Sequence, residues 1–328
     1  MRSFAHARLG LFLLLFLLVC SSGLGLTTSF RGVAQAVNPP HIWLSNKVAP
    51  PTASVQLNGG GFGQSEMVNV DFDATPIARA TTDSTGKFAI RITIPKMALP
   101  GSHIIQATGQ ASGLTAQTAF LVRTNWAQFR FGPYHTGNNP YENVINSSNV
   151  STLTLDWRYT TGGGNSSPAV VNGVVYIGST FPQSLYALDA VTGVLKWSYA
   201  TGGYIGSSPA IVNGMIYFGS DDHKLYALDA ETGAFKWSYT TGNFVDSSPA
   251  VVNGIVYVGS EDHKLYAFDA MTGALKWSYT SGGSIFSSPA VANGVVYFGV
   301  YGGELYAFDA ITGKFKWSYH TVTYGGPP

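Results

Sequence analysis

The side chains in this sequence best placed for chemistry lie in two tripeptides, Asp221-Asp222-His223 and Glu261-Asp262-His263, at equivalent positions of neighbouring repeats. Carboxylate oxygens beside an imidazole form a ligand set for a divalent metal. The two other copies of this stretch, Thr180 to Ser184 and Tyr301 to Glu304, carry no histidine, and an acidic hairpin tip with one histidine is more often simply solvated. The metal assignment is therefore set at none. Ser166-Ser167 and its later copies supply hydroxyls, but no His and Asp recur in register to activate them; satisfying backbone groups or lining a channel suits them better. Gly59-Gly60-Gly61-Phe62-Gly63 invites a phosphate-binding reading, yet it lacks a Gly-Lys-Ser/Thr end and a following helix start. A glycine bulge or hairpin is expected there. No catalytic residue is assigned.

The elements that must position these residues are β-strands. Only 11% of the chain is charged, against a usual quarter, while 39 glycines and 16 prolines punctuate runs rich in Val, Tyr, Phe and Trp, a pattern of many short strands and turns. Lys plus Arg number 18 against 17 Asp plus Glu, so no net field draws the protein to nucleic acid. Arg2 and Arg8 precede the apolar run Leu9 to Val19, too short for an ordinary spanning helix and read as a signal peptide over 1–36, cut after Ala36. A lipoprotein attached through Cys20 and an uncleaved membrane anchor are the alternatives. After cleavage no cysteine remains for disulfides or thiolate metal sites. The localisation expected is secreted, cell-surface or periplasmic.

From 38 to 123 the chain alternates as half-buried strands do, most clearly where Phe88, Ile90, Ile92 and Ile94 share one face. Further strands are expected over Ser54–Leu57, Met67–Phe72, Ile77–Thr82, His103–Ala107 and Thr115–Val122. About seven such strands make a small antiparallel sandwich. This stretch resembles the immunoglobulin-like modules of bacterial surface proteins, Gly61-Phe62-Gly63 matching their glycine-phenylalanine turn, which implies a spacer or adhesive module. A polar connecting segment, 124–156, follows and is expected to wrap an edge of the second domain.

Trp157, Trp197, Trp237, Trp277 and Trp317 recur at intervals of 40 across 157–320, the mark of a repeat array. Each unit holds four strand-length runs, as one propeller blade requires. Asn172-Gly173, Asn213-Gly214, Asn253-Gly254 and Asn293-Gly294 fit type I′ hairpins, and Pro168, Pro209, Pro249 and Pro289 precede a first strand that must be an edge. The fold class is thus all-β: a sandwich, then a β-propeller of four 40-residue blades, with a tail at 321–328. Five tryptophan strands serve four sets of the other strands, so either the Trp157 or the Trp317 strand closes the ring in place of the other, or the chain is an open arc, half of a larger propeller completed by a homodimer, or it is a truncated member of a longer family.

The run Ala267-Phe268-Asp269-Ala270-Met271-Thr272-Gly273-Ala274-Leu275-Lys276-Trp277 resembles the Ala-x-Asp-x-x-Thr-Gly-x-x-x-Trp docking motif of pyrroloquinoline-quinone (PQQ) repeat propellers, and it recurs ending at Trp197, Trp237 and Trp317. The resemblance implies that each tryptophan packs between blades against a Thr-Gly turn, pairing these indoles with Gly193, Gly233, Gly273 and Gly313. Quinoprotein dehydrogenases of this kind hold PQQ and calcium on the axis, commonly beneath two bonded adjacent cysteines. This sequence has neither that pair nor the Glu, Asn and Asp loops that bind calcium, and half the usual blades. Similar propellers without cofactor are protein-binding scaffolds, including an outer-membrane assembly lipoprotein.

The expectation is an exported, non-catalytic scaffold binding a protein or cell-envelope partner, with no cofactor; a PQQ- and calcium-dependent dehydrogenase, or a remnant of one, is the alternative. Turns on one face repeat almost unchanged, whereas the opposite loops vary and would carry any binding site. The candidates are Asn165, Tyr204, Ile205, Phe244, Asp246, Phe286, Asp222, His223, Asp262, His263 and Tyr301. Drift of unconstrained loops accounts for the same variation equally well.

Overall fold

A computed structural model describes residues 38–321. The leader, Cys20 and the cleavage position after Ala36 lie outside the described residues, as does the tail beyond residue 321. The first eight strands are β1 (His41–Leu44), β2 (Val48–Ala49), β3 (Ser54–Gly60), β4 (Met67–Phe72), β5 (Thr75–Thr81), β6 (Phe88–Thr93), β7 (Gly101–Gly109) and β8 (Thr115–Val122). They form two sheets, β1-β3-β6 and β2-β8-β7-β4-β5, antiparallel except where β2 runs parallel to β8. Leu57, Val68, Val70, Ile92, Ile105 and Phe120 fill one core, each essentially inaccessible.

The glycine run belongs to this packing. A Cβ on Gly59 would lie 2.2 Å from the Phe88 ring, so a bare residue is needed for that phenylalanine to reach the core. The Gly63 N–H, which a phosphate would require, donates to the buried Glu66 carboxylate at 2.5 Å. That carboxylate also accepts from the N–H of Ala111 and from the N–H and hydroxyl of Ser112. Burial opposes its charge, but these donors outweigh it and hold Glu66 below the ordinary range.

Four sheets follow: β9 to β12 (Ala169–Val171, Val174–Gly178, Ser184–Asp189, Leu195–Ala200), β13 to β16 (Ala210–Val212, Met215–Ser220, Lys224–Asp229, Phe235–Thr240), β17 to β20 (Ala250–Val252, Ile255–Gly259, Lys264–Asp269, Leu275–Thr280) and β21 to β24 (Ala290–Ala292, Val295–Val300, Glu304–Asp309, Phe315–His320). Each is antiparallel in chain order. The first strands β9, β13, β17 and β21 lie side by side from blade to blade, while the fourth are largely exposed. Asn213 and Gly214 have φ of 51° and 77°, the two positive values of a type I′ turn, and the other three Asn-Gly pairs repeat them.

Adjacent blades meet through one recurring contact. The Ala270 carbonyl of the third blade accepts both the Tyr217 hydroxyl at 3.0 Å and the Trp237 indole N–H at 3.1 Å from the second. Ala230 and Ala310 do the same for Tyr176 with Trp197 and for Tyr257 with Trp277. The Trp237 ring lies flat on Gly273, where a Cβ would come within 2.6 Å of it. Gly273 also has φ of 72°, so the position needs glycine on both counts. Asp269 shapes the turn: one oxygen accepts from the N–H of Met271 and Thr272 and from the Thr272 hydroxyl, the other pairs with Lys276.

A second ladder runs nearer the inner strands. The Ser207 hydroxyl accepts the Gly219 N–H within its own blade and donates to the Ser247 carbonyl of the next; Ser247 repeats this with Gly259 and Ser287. The repeated serines thus satisfy backbone groups, the simpler of the roles considered for them.

The connecting segment does more than wrap an edge. Trp126 exchanges two backbone hydrogen bonds of 2.7 Å with Val170, and the Ala127 carbonyl accepts from Ile211. The buried Gln128 amide donates to the Val251 carbonyl and accepts its N–H, and the Pro133 carbonyl accepts from Val291. One strap therefore reaches the open inner edge of all four blades, supplying partners that exposed edge strands lack.

The blades form an open arc. Trp157 lies on Gly193 and donates to the Ala190 carbonyl at 3.1 Å, taking the first docking turn. Trp317 is exposed, and no described turn covers it.

Two substitutions test this architecture by thermal unfolding. Trp237→Ala empties a filled interface and should cost about 3–5 kcal/mol; an unchanged melt would contradict the docking. Gln128→Ala leaves both polar groups of Val251 unpaired and should cost about 1–3 kcal/mol.

Candidate binding face

The links between blades and the hairpin loops joining second to third strands open on the same side. They are tied together by backbone hydrogen bonds: Asp221 N–H to the Tyr204 carbonyl, Glu261 to Phe244, and Tyr301 to Ser284, at 2.8–3.0 Å. The variable loops are thereby one connected surface on a rigid support.

Asp222 and Asp262 are committed within it. One Asp222 oxygen accepts the Tyr226 hydroxyl at 2.5 Å and the Gly202 N–H at 2.9 Å. Asp262 does the same for Tyr266 and Gly242. Burial first, and then the hydrogen-bonded carboxylate, push the ionisation of Tyr226 and Tyr266 upward. Both aspartates are therefore positioning residues that anchor a link to a hairpin. His223 and His263 take left-handed φ values of 69° and 70° at the hairpin tips, and the His223 ring meets that of Phe244 in a T-shaped arrangement with centroids 5.2 Å apart. Among the described residues, no three His, Cys, Asp or Glu side chains converge as a metal site.

Ile205 is not a surface residue. It is fully buried, and a Cβ on Gly178 would come within 2.4 Å of it. Val245 and Ile285 fit against Gly219 and Gly259 in the same way. In the first three blades the glycine at or next to the end of the second strand is thus the socket for a side chain from the next link, so this apolar position belongs to the blade interface.

What remains exposed is aromatic. Tyr204, Phe244 and Phe286 are 38%, 38% and 48% accessible, with Phe181 and Tyr301 more exposed still. Phe181 meets Tyr204 edge-on at 4.9 Å, and Phe286 meets Tyr301 at 6.3 Å. Asn165 is exposed in the first link.

Behind these rings sits a carboxylate group that no single repeat reveals. Asp221 of the second blade, Asp246 of the following link and Glu261 of the third blade gather where those blades meet. Burial first, then the charge and hydrogen bond of Asp246, push Asp221 up to about 7; burial and Asp246 also raise Glu261. The sequence signal was slight: Asp246 stands where the other links have Gly206 or Phe286, and only the curvature of the arc brings it to Asp221.

The turn face is not featureless. A cleft of about 1010 Å³ lies there between β2, the strap and the first two blades, lined by Arg123, Asn125, Asn172, Lys196, Trp197 and Glu231 among others. Arg123 donates to the Asn172 side-chain oxygen at 2.8 Å within it.

Among the described residues no group of three or more His, Cys, Asp or Glu side chains forms an ion site, the sequence has no adjacent cysteine pair, and the strap engages the inner edges of all four blades.

Similar proteins share the propeller architecture. The lanthanide-dependent methanol dehydrogenase of Methylorubrum extorquens is 41% identical over 59 residues, 17% of this chain and 10% of that protein. The dehydrogenase subunit of the quinone alcohol dehydrogenase of Gluconobacter oxydans is 45% identical over 58 residues, 17% of this chain and 8% of that protein. The matches thus span about a tenth of these curated relatives. Among solved structures, the quinohemoprotein alcohol dehydrogenase of Pseudomonas putida superposes with a TM-score of 0.55 at 25% identity, over 60% of this chain and 40% of that one. Residues 143–244 and 241–326 match the family profile described as outer membrane protein assembly factor BamB. With more than half of its length inside that profile and the docking contact repeated from blade to blade, the chain belongs to this family of PQQ-type repeat propellers.

Proposed function

We propose that this protein is a non-catalytic scaffold of the cell envelope that binds a protein partner through its loop face. The observation that carries this reading is the set of exposed aromatics Tyr204, Phe244 and Phe286, one on each blade-to-blade link, flanked by Phe181 and Tyr301. Aromatic side chains on preordered loops are typical anchors of protein interfaces, because they bury large area at small entropic cost. The loops are held by Asp222, Asp262 and the backbone bonds between links and hairpins, so little ordering remains to be done on binding. The sandwich serves as a stalk or second adhesive module. An envelope location accords with the family description and with the leader expected from the sequence. Among the described residues, no helix is long and apolar enough to cross a membrane.

The dehydrogenase alternative draws on likeness to alcohol-oxidising enzymes, but those sequence matches cover 17% of this chain, and the described residues contain no group of three His, Cys, Asp or Glu side chains that would hold an ion.

Replacing Tyr204, Phe244 and Phe286 with alanine should weaken capture of a partner from envelope extracts at least about tenfold. Retention by the triple variant would overturn the assignment of the face. The carboxylates supply a test of the face's geometry. Asp221 ionises in the unfolded chain near its ordinary value of 3.8 but in the fold only near 7. Between those values the folded protein keeps a proton the unfolded chain has lost, so Asp221 lowers stability progressively as pH rises. Asp221→Asn should therefore raise the melting temperature at about pH 8 and leave it nearly unchanged at about pH 4.

A further inference from the structure

The two ends of the arc are chemically complementary but unequally satisfied. At its far end, Tyr297 and Trp317 stand with ring centroids 6.0 Å apart and planes at 49°. The pairs that already hold a carbonyl have the same arrangement: 5.9 Å and 48° for Tyr176 with Trp197, 5.9 Å and 46° for Tyr217 with Trp237, 6.0 Å and 51° for Tyr257 with Trp277. The terminal pair is thus preset to donate twice to an alanine carbonyl, and no described residue supplies one. The inner ladder of the described residues also ends there: the Ser287 hydroxyl donates back to the Gly299 carbonyl of its own blade.

At the near end, the Ala190 carbonyl accepts only the Trp157 N–H. Among the described residues, the tyrosine that accompanies tryptophan at every later interface has no counterpart here. Leu155-Asp156-Trp157-Arg158-Tyr159-Thr160 has the pattern of a fourth strand such as Leu275–Thr280, and Tyr159 meets Tyr186 as Tyr239 meets Tyr266, each pair at 5.6 Å. Yet this stretch belongs to no sheet. Trp237 is held by a ladder to its own third strand; Trp157 is held by its side chain and by loop contacts such as Ser179 with Thr161.

We propose that two copies of this chain associate head to tail, the Tyr297–Trp317 flank of one engaging the Ala190–Gly193 turn of the other in place of that copy's own Trp157. The interface continues one already formed three times within the chain. It offers the Ala190 carbonyl two donors instead of one and gives exposed Trp317 a bare glycine to lie on. The Trp157 stretch is then a displaceable cap that makes assembly competitive and concentration-dependent. This assignment is independent of the loop face, which lies on another surface.

Sedimentation of the full chain over a range of concentrations tests it with four forms. Wild type should associate as concentration rises. Trp157→Ala should tighten association about tenfold or more, the equivalent of about 1.4 kcal/mol. Trp317→Ala should abolish it, and so should the Trp157→Ala/Trp317→Ala double variant. The double variant separates docking from aggregation of a loosened first blade, since aggregation would persist in it. Tyr297→Phe, which removes one donor and keeps the ring, should weaken association several-fold without a change in circular dichroism. Association that survives Trp317→Ala, or that Trp157→Ala leaves unchanged or weakens, would overturn the proposal. So would wild type and Trp157→Ala both remaining monomeric.

Discussion

The second half of the structure rests on one contact: an indole lying on a bare glycine while its N–H and a neighbouring tyrosine hydroxyl share a single alanine carbonyl. Each part constrains the others. A buried hydroxyl and a buried indole N–H both need acceptors, and the carbonyl has two lone pairs to offer. A side chain at the glycine would occupy the space of the ring. The tyrosines' ionisation rises to about 12, driven first by burial and then by nearby acidic charge such as that of Asp269 beside Tyr217, so they remain donors at any physiological pH. The aspartate in each turn is held below its ordinary range chiefly by backbone N–H groups of the same turn. The docking surface therefore arrives preformed.

This contact divides the two faces of the arc. The turns it uses cannot vary without losing an interface, so variation is confined to the opposite loops. Those loops are rigid because Asp222 and Asp262 clamp link to hairpin, and because Ile205, Val245 and Ile285 plug each link into the adjacent blade. Exposed aromatics on such a support are a preorganised surface. The strap serves the same end from the inside: by engaging the inner edge of each blade, it lets an unclosed set of sheets avoid an open row of unpaired backbone groups.

Much of this was legible in the residues. The spacing of the tryptophans, the Asn-Gly pairs and the prolines before β9, β13, β17 and β21 each reports a local requirement, and each requirement is met. The alternation around Phe88 to Ile94 likewise placed a strand. β1 and β2 were missed because they are only four and two residues long, and because the exposed Trp43 between buried Ile42 and Leu44 hides the alternation of β1 in the sequence. Ile205 was misassigned because its neighbours Tyr204 and Gly206 look like loop, and only its position against Gly178 makes it core. The carboxylate group was invisible because Asp221, Asp246 and Glu261 belong to different structural units.

By itself, then, the sequence determined whatever depends on a few consecutive residues: strand periods, turn types, the need for glycine beneath a ring, and the count of four blades. The tertiary structure decided what depends on distant segments meeting. It placed the strap along all four inner edges, set three acidic side chains from two blades around one site, and answered the question of the fifth tryptophan. Trp157 and Trp317 stand in the same Trp-x-Tyr pattern; which is docked and which is bare follows from whether an alanine carbonyl and a glycine lie in front of it, and no local pattern encodes that.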